Sequence, residues 1–168
     1  MSRSFRYEAE LLARLANTYF RAVPEKYRTF CALTSRVTQR VLSEFGVACE
    51  VVPCQVWHGS QRGLIAVGFL GKKTPNKWDG HAACMTATHV IDASLHQIQR
   101  EFGAQVPDVV VANRIPVPSQ FIASAMIEPQ TWLYWINPPD PVHAQVVEEP
   151  PELVETLASD LTRALTAD

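Results

Sequence analysis

No apolar run in the 168 residues approaches the roughly 20 that a membrane-spanning helix needs. The opening residues, Met1-Ser2-Arg3-Ser4-Phe5-Arg6-Tyr7-Glu8, carry no apolar signal core, so a soluble, cytoplasmic chain with no membrane partner is expected. Four cysteines, Cys31, Cys49, Cys54 and Cys84, include no Cys-x-x-Cys pair. In a cytosolic chain they read as free thiols, not as a disulfide framework. A zinc site drawn from them with His58 or His81 lacks the short ligand spacing of structural zinc, and neither a metal nor another cofactor is expected. An excess of basic residues is missing too: 15 Lys and Arg against 17 Asp and Glu give a net charge of -2. Nucleic acid is therefore not an expected partner. The four tryptophans have no basic residues interleaved with them and read as core or cleft wall, not as a stacking platform. Internal repeats and low-complexity tracts are absent.

What is present is a globular composition, 47% hydrophobic and 19% charged, in a length suited to one domain with a full core. Tyr7, Leu11, Leu12, Leu15 and Tyr19 recur at helical spacing between Ser4 and Phe20. A second helix is expected from near Phe30 to Phe45, with Leu33, Val37, Val41 and Leu42 on one face and Gly46 as its stop. From Val47 the period becomes that of strands. Ala48 to Trp57 is one, with Pro53 pointing to an edge or a bulge, and Gly63 to Leu70 is another. A polar loop, Gly71 to Trp78, follows. A short helix is expected from Ser94 to Phe102. Strands are expected around Val109–Val111 and Trp132–Ile136, separated by a proline-punctuated loop. Pro150-Pro151 opens a last helix carrying Leu153, Leu157, Leu161 and Leu165, a stripe too short for several heptads and read as packing on the body. The oligomeric state stays open. Helices, an antiparallel meander and a closing helix make an α+β chain, with N-terminal helices packed on the sheet. The expected unit is one domain over residues 1–168, its core about 28–137 and its C-terminal helix about 150–166.

Two short strands between Gly80 and Ser94 carry the most informative polar residues. A hairpin turning at Thr86-Ala87 sets His81 opposite Asp92, with Cβ atoms roughly 4.5–5.5 Å apart. A carboxylate on one ring nitrogen fixes the tautomer and leaves the other nitrogen to act as a base. The missing nucleophile is best supplied by Cys31, at the start of the second helix, where backbone N–H groups and the helix dipole favour an anion and Thr29 is a candidate N-cap. Cys31 as a small buried core residue is the competing reading. Cys49, Cys54 and Cys84 fall inside expected strands and read as core. His58 reads as a solvated strand end. His89 and His96 flank Asp92 and are alternative partners for it, whereas His143 has no role to play.

Phe30-Cys31-Ala32-Leu33-Thr34-Ser35, the helix to Gly46, and the strand ending Val52-Pro53-Cys54-Gln55-Val56 are followed by Gly80-His81-Ala82 and Val90-Ile91-Asp92-Ala93-Ser94. In order and element type this set resembles the transglutaminase-like group of the papain-like cysteine enzymes, over about Phe30 to Gln97. The resemblance implies a papain-like core with Cys31 as nucleophile, His81 as base and then acid, and Asp92 as orienter. It implies acyl transfer on a peptide, protein or small amide through a Cys31 thioester, by hydrolysis, deamidation or transamidation. The Gln that precedes the papain-type Cys is not found here, which leaves the Cys31 N–H with Tyr19, Tyr27 or Trp78 as oxyanion donors. Arylamine N-acetyltransferases use a similar triad, but their Arg-Gly-Gly run is replaced by Tyr27-Arg28-Thr29-Phe30. A non-catalytic binding module on the same fold, with Cys31 structural, is the alternative.

Overall fold

A computed structural model describes residues 3–72, 74–116 and 119–167. Four α-helices and seven strands are found among them: α1 (Arg3–Ala22), α2 (Cys31–Glu44), β1 (Cys49–Ser60), β2 (Gly63–Val67), β3 (His81–Thr86), β4 (His89–Asp92), α3 (His96–Phe102), β5 (Val110–Asn113), β6 (Phe121–Glu128), β7 (Thr131–Ile136) and α4 (Pro151–Ala167). The chain is α+β, as its pattern of periods indicated. Among the described residues no helix is long and apolar enough to cross a membrane.

All the strand pairs are antiparallel, in the order β5-β4-β3-β1-β7-β6, with β2 paired to β1. The long strand β1 joins the two halves of the sheet. Its first half pairs with β3, from Cys49 against Thr86 to Cys54 against His81, and its second half with β2 and β7. Among the described residues Pro53 pairs on one side only, with Ala82, the open-edge position a residue without an N–H requires. An Arg114–Ala123 bridge and a bond from the Ile115 N–H to the Ile122 carbonyl bring β5 round to β6, so the sheet curls into a near-barrel.

Alternation along the strands sorts side chains into two cores. Cys84, Ile91 and Ala93 face outward against Leu12, Leu15 and Tyr19 of α1, Leu33, Val37 and Val41 of α2, and Leu157, Leu161 and Leu165 of α4. The α4 leucine stripe therefore packs on the body. Ala83 and Val90 face the other way, into the curled sheet, with Cys54, Val56, Leu133 and Trp135, and with Leu95 and Ile98 around α3. His81 has the parity of Ala83, and Asp92 that of Val90, so both look into the inner core.

Three expectations about elements need correction. The proline-punctuated loop contains β6, whose two register breaks, at Phe121/Ala123 and Met126/Glu128, spoil the simple alternation that announces a strand. Thr29 does not cap α2: the N-cap is Phe30, without a side-chain bond, and its own N–H is taken up by the Tyr27 carbonyl. Finally, α3 starts at His96, because the Ser94 N–H and hydroxyl are both directed to Asp92.

Candidate active site

The β3–β4 hairpin turns one residue later than expected. Cys84 pairs with Ile91 and Met85 with Val90, so Ala87 and Thr88 form the turn, and Asp92 aligns with Ala83 instead of His81. The cause is local. The Thr86 hydroxyl accepts the N–H groups of Thr88 and His89 at 3.2 and 3.0 Å and donates to Glu8 of α1 at 2.6 Å. That side chain organises a turn poor in the residues usual for tight hairpins. A two-residue displacement preserves every face. His81 and Asp92 become diagonal neighbours, and Nε2 of His81 lies 2.6 Å from Oδ2 of Asp92.

Asp92 is completely buried and fully engaged. Oδ2 also receives the Trp135 indole N–H at 2.9 Å, while Oδ1 receives the Ser94 N–H at 3.1 Å and its hydroxyl at 2.8 Å. Burial, the largest influence, favours the neutral acid. The charge of His81 and the donors from His81, Trp135 and Ser94 outweigh it and hold the carboxyl below its ordinary range. His81 is 1% exposed. Burial alone pulls its pKa down, but the charge and hydrogen bond of Asp92, with a further contribution from Cys31, push it up to about 10. Its Nδ1 is buried without a partner at full hydrogen-bond geometry. Cys31 is the group that acts on the ring from beyond Asp92.

Cys31 is the first residue of α2, 8% exposed, with Sγ 4.0 Å from the Gly80 carbonyl. Ser35, one turn on, donates to the Ala82 carbonyl at 3.1 Å and so fixes α2 against β3. Without a side-chain cap, the first N–H groups of α2 remain available to a ligand anion. Two glycines make the close approach possible. A Cβ on Gly68, whose φ is +85°, would lie 2.6 Å from Cβ of His81, and one on Gly80 would enter the Trp78 ring. Gly80 and Trp78 also line a cavity of about 180 Å³ with Gly68, Lys72 and Gln97. The indole meets Phe69 edge to face, and beyond it opens a second cavity of about 350 Å³ reaching Asp140 and His143.

All three residues singled out by sequence, Cys31, His81 and Asp92, thus come together. The remaining histidines do not join them. His58 is buried within β1, contrary to its reading as a solvated end, because β2 and β7 cover it on both sides. His89 is buried against Glu8 at 3.1 Å, His96 lies 3.8 Å from Asp108, and His143 is exposed beside Asp140. Cys54 and Cys84 are core, but Cys49, the first residue of β1, is only half-buried. Among the described residues no cluster of three His, Cys, Asp or Glu is arranged to hold a metal. Trp135 and Ser94 escaped the sequence reading. Ser94 had a usable signal, the Asp-x-Ser spacing of a side-chain-to-backbone turn, whereas Trp135 lies 43 positions from its partner and had none. No protein-family model, curated protein or solved structure matches the chain.

Proposed function

We propose that the protein is a cysteine-dependent acyl-transfer enzyme with a papain-like, transglutaminase-like core, acting on an amide or another acyl bond in a peptide, protein or small molecule. One observation carries this reading: Asp92 holds Nε2 of a buried His81 at 2.6 Å and leaves Nδ1 for Cys31. Such an arrangement holds an imidazolium beside the Cys31 sulfur. In the mechanism, the Cys31 sulfur attacks the acyl carbon, and the C=O π electrons move to oxygen. The Cys31 N–H, which has no intrahelical acceptor, meets that oxyanion. The Tyr19 hydroxyl is committed to the Thr34 carbonyl at 2.8 Å, which leaves Trp78, against Gly80, and Tyr27 as side-chain donors. Collapse expels the amine, which takes the proton from His81, and leaves a thioester. Neutral His81 then deprotonates water or an amine, whose attack releases Cys31. A cytoplasmic setting, where thiols are kept reduced, belongs to the same reading.

The test uses a generic acyl donor, para-nitrophenyl acetate. Peptide mapping after a brief incubation is expected to find acetyl on Cys31, to lose it on adding water-accessible amine, and to find none in His81→Ala. Acetylation of Cys31 no faster than that of Cys54 in the native protein refutes the proposal and returns the binding-module reading.

A further inference from the structure

Cys49 and Cys84 lie outside the triad, on the opposite face of the sheet. In the β1–β3 register Cys49 faces Thr86 and Val51 faces Cys84, which makes the two cysteines diagonal neighbours on the face turned to the helices. Cys49 packs against the core cluster that contains Cys84, with its thiol directed to the Gln39 carbonyl at 3.8 Å and the Cys84 sulfur beside it. Their surroundings differ. Cys84 is fully buried, and the neighbouring Cys49 together with burial pushes its pKa up. Cys49 is half-exposed in the wall of a groove of about 520 Å³, where Arg36 and Arg40 are paired with Glu148 and Glu155. The neighbouring Cys84 lowers its pKa, and burial and the charges of Glu50 and Glu8 oppose this only in part. An accessible thiol favoured as the anion, next to a second thiol, is the arrangement that oxidants select.

We propose that Cys49 and Cys84 are an oxidant-responsive dithiol, with Cys49 meeting a hydroperoxide in the groove and Cys84 closing a cross-strand disulfide. In the first step the Cys49 thiolate attacks one peroxide oxygen. The S–O bond forms as the O–O bond breaks, sulfur is oxidised by two electrons, and the other oxygen departs as alkoxide (hydroxide from hydrogen peroxide) and takes up a proton from the solvent. In the second step the Cys84 sulfur attacks the Cys49 sulfenic acid, the S–S bond forms, and the OH leaves with the Cys84 proton as water. A diagonal pair is spaced more widely than most disulfides. Closure therefore requires the first residue of β1 to leave its two bonds with Gln39, at 3.2 Å from the carbonyl and 3.8 Å from the thiol, and to shift towards Cys84. The product ties β1 to the strand that carries His81.

The reduced protein is treated with hydrogen peroxide, quenched with iodoacetamide and mapped without reduction. The expected product is a Cys49–Cys84 linked peptide lacking two hydrogens, formed equally in Cys31→Ser, so that its outcome is independent of the acyl-transfer reading. In Cys84→Ala, dimedone is expected to capture a sulfenic acid at Cys49, and Cys49→Ser is expected to leave Cys84 a thiol. A disulfide that uses Cys31 overturns the proposal. So does a native Cys49 that stays a thiol, or passes to sulfinic acid unlinked, once peroxide has oxidised Cys31.

Discussion

Replacing Trp135 by Phe separates the support of the site from its chemistry. The Trp135 indole N–H meets Asp92 at 2.9 Å on the same oxygen that holds His81, and both residues are completely buried. Phenylalanine keeps an aromatic ring in the inner core but removes the donor. A hydrogen bond to a buried charge contributes about 1.5–3 kcal/mol. The void left by the smaller ring adds about 1–2 kcal/mol, on a scale of about 0.8 kcal/mol per methylene. The expected loss is therefore about 2.5–5 kcal/mol, read from urea unfolding at pH 7 with an unchanged denaturant slope. A second signature follows from charge. Asp92 loses one of the groups that lower its pKa, so the acid decline of stability moves to higher pH in the variant. A loss under about 1 kcal/mol, or an unshifted acid limb, would refute the placement of Trp135 on Asp92.

Asp92→Asn keeps the shape but offers the wrong hydrogen-bonding pattern to Nε2, and acyl transfer to Cys31 from para-nitrophenyl acetate is expected to slow by about 10²–10⁴-fold while the variant still folds; near-native rates would remove Asp92 from the mechanism. His81 holds its proton up to about pH 10 in the folded chain, against 6.5 ordinarily. Its contribution to stability is therefore complete below pH about 6.5 and is lost as pH rises towards 10. The difference in urea midpoint between wild type and His81→Gln should shrink across that window, and parallel curves would contradict a charged His81. Gly68→Ala forces a Cβ to within 2.6 Å of His81 at φ +85°, with an expected cost of about 1–3 kcal/mol and slower Cys31 acylation; a variant with native stability would show that the backbone at Gly68 does not crowd His81.

Long periodic elements were legible because their signal is local and repeated. Leu11, Leu12, Leu15 and Tyr19 announce α1, and the leucines at 157, 161 and 165 announce the buried stripe of α4. The positions of Cys31, His81 and Asp92 were legible for a related reason: polar residues interrupting apolar strands stand out, and so does a cysteine at a helix start. The hairpin register was not, because it depends on Thr86 binding the turn N–H groups and on Glu8, 78 positions away, binding Thr86. The strand β6 was hidden by its bulges, and Cys49 read as core because a strand's first residue has the same local pattern as its interior. What the sequence concealed was set by contacts between distant segments.

Site-resolved alkylation tests the central claim most directly. With iodoacetamide at pH about 6.5, Cys31 is expected to label far faster than Cys54 and Cys84: burial pushes both thiols up, and although Cys54 faces His81 across the β1–β3 pair, the charge of Asp92 opposes its ionisation. Cys49, half-exposed and on the other face, serves as the internal control. In His81→Ala the labelling of Cys31 should slow markedly while that of Cys49 is unchanged. If Cys31 labels no faster than Cys54, or if its rate ignores the loss of His81, then Cys31 and His81 do not act together and the acyl-transfer account fails.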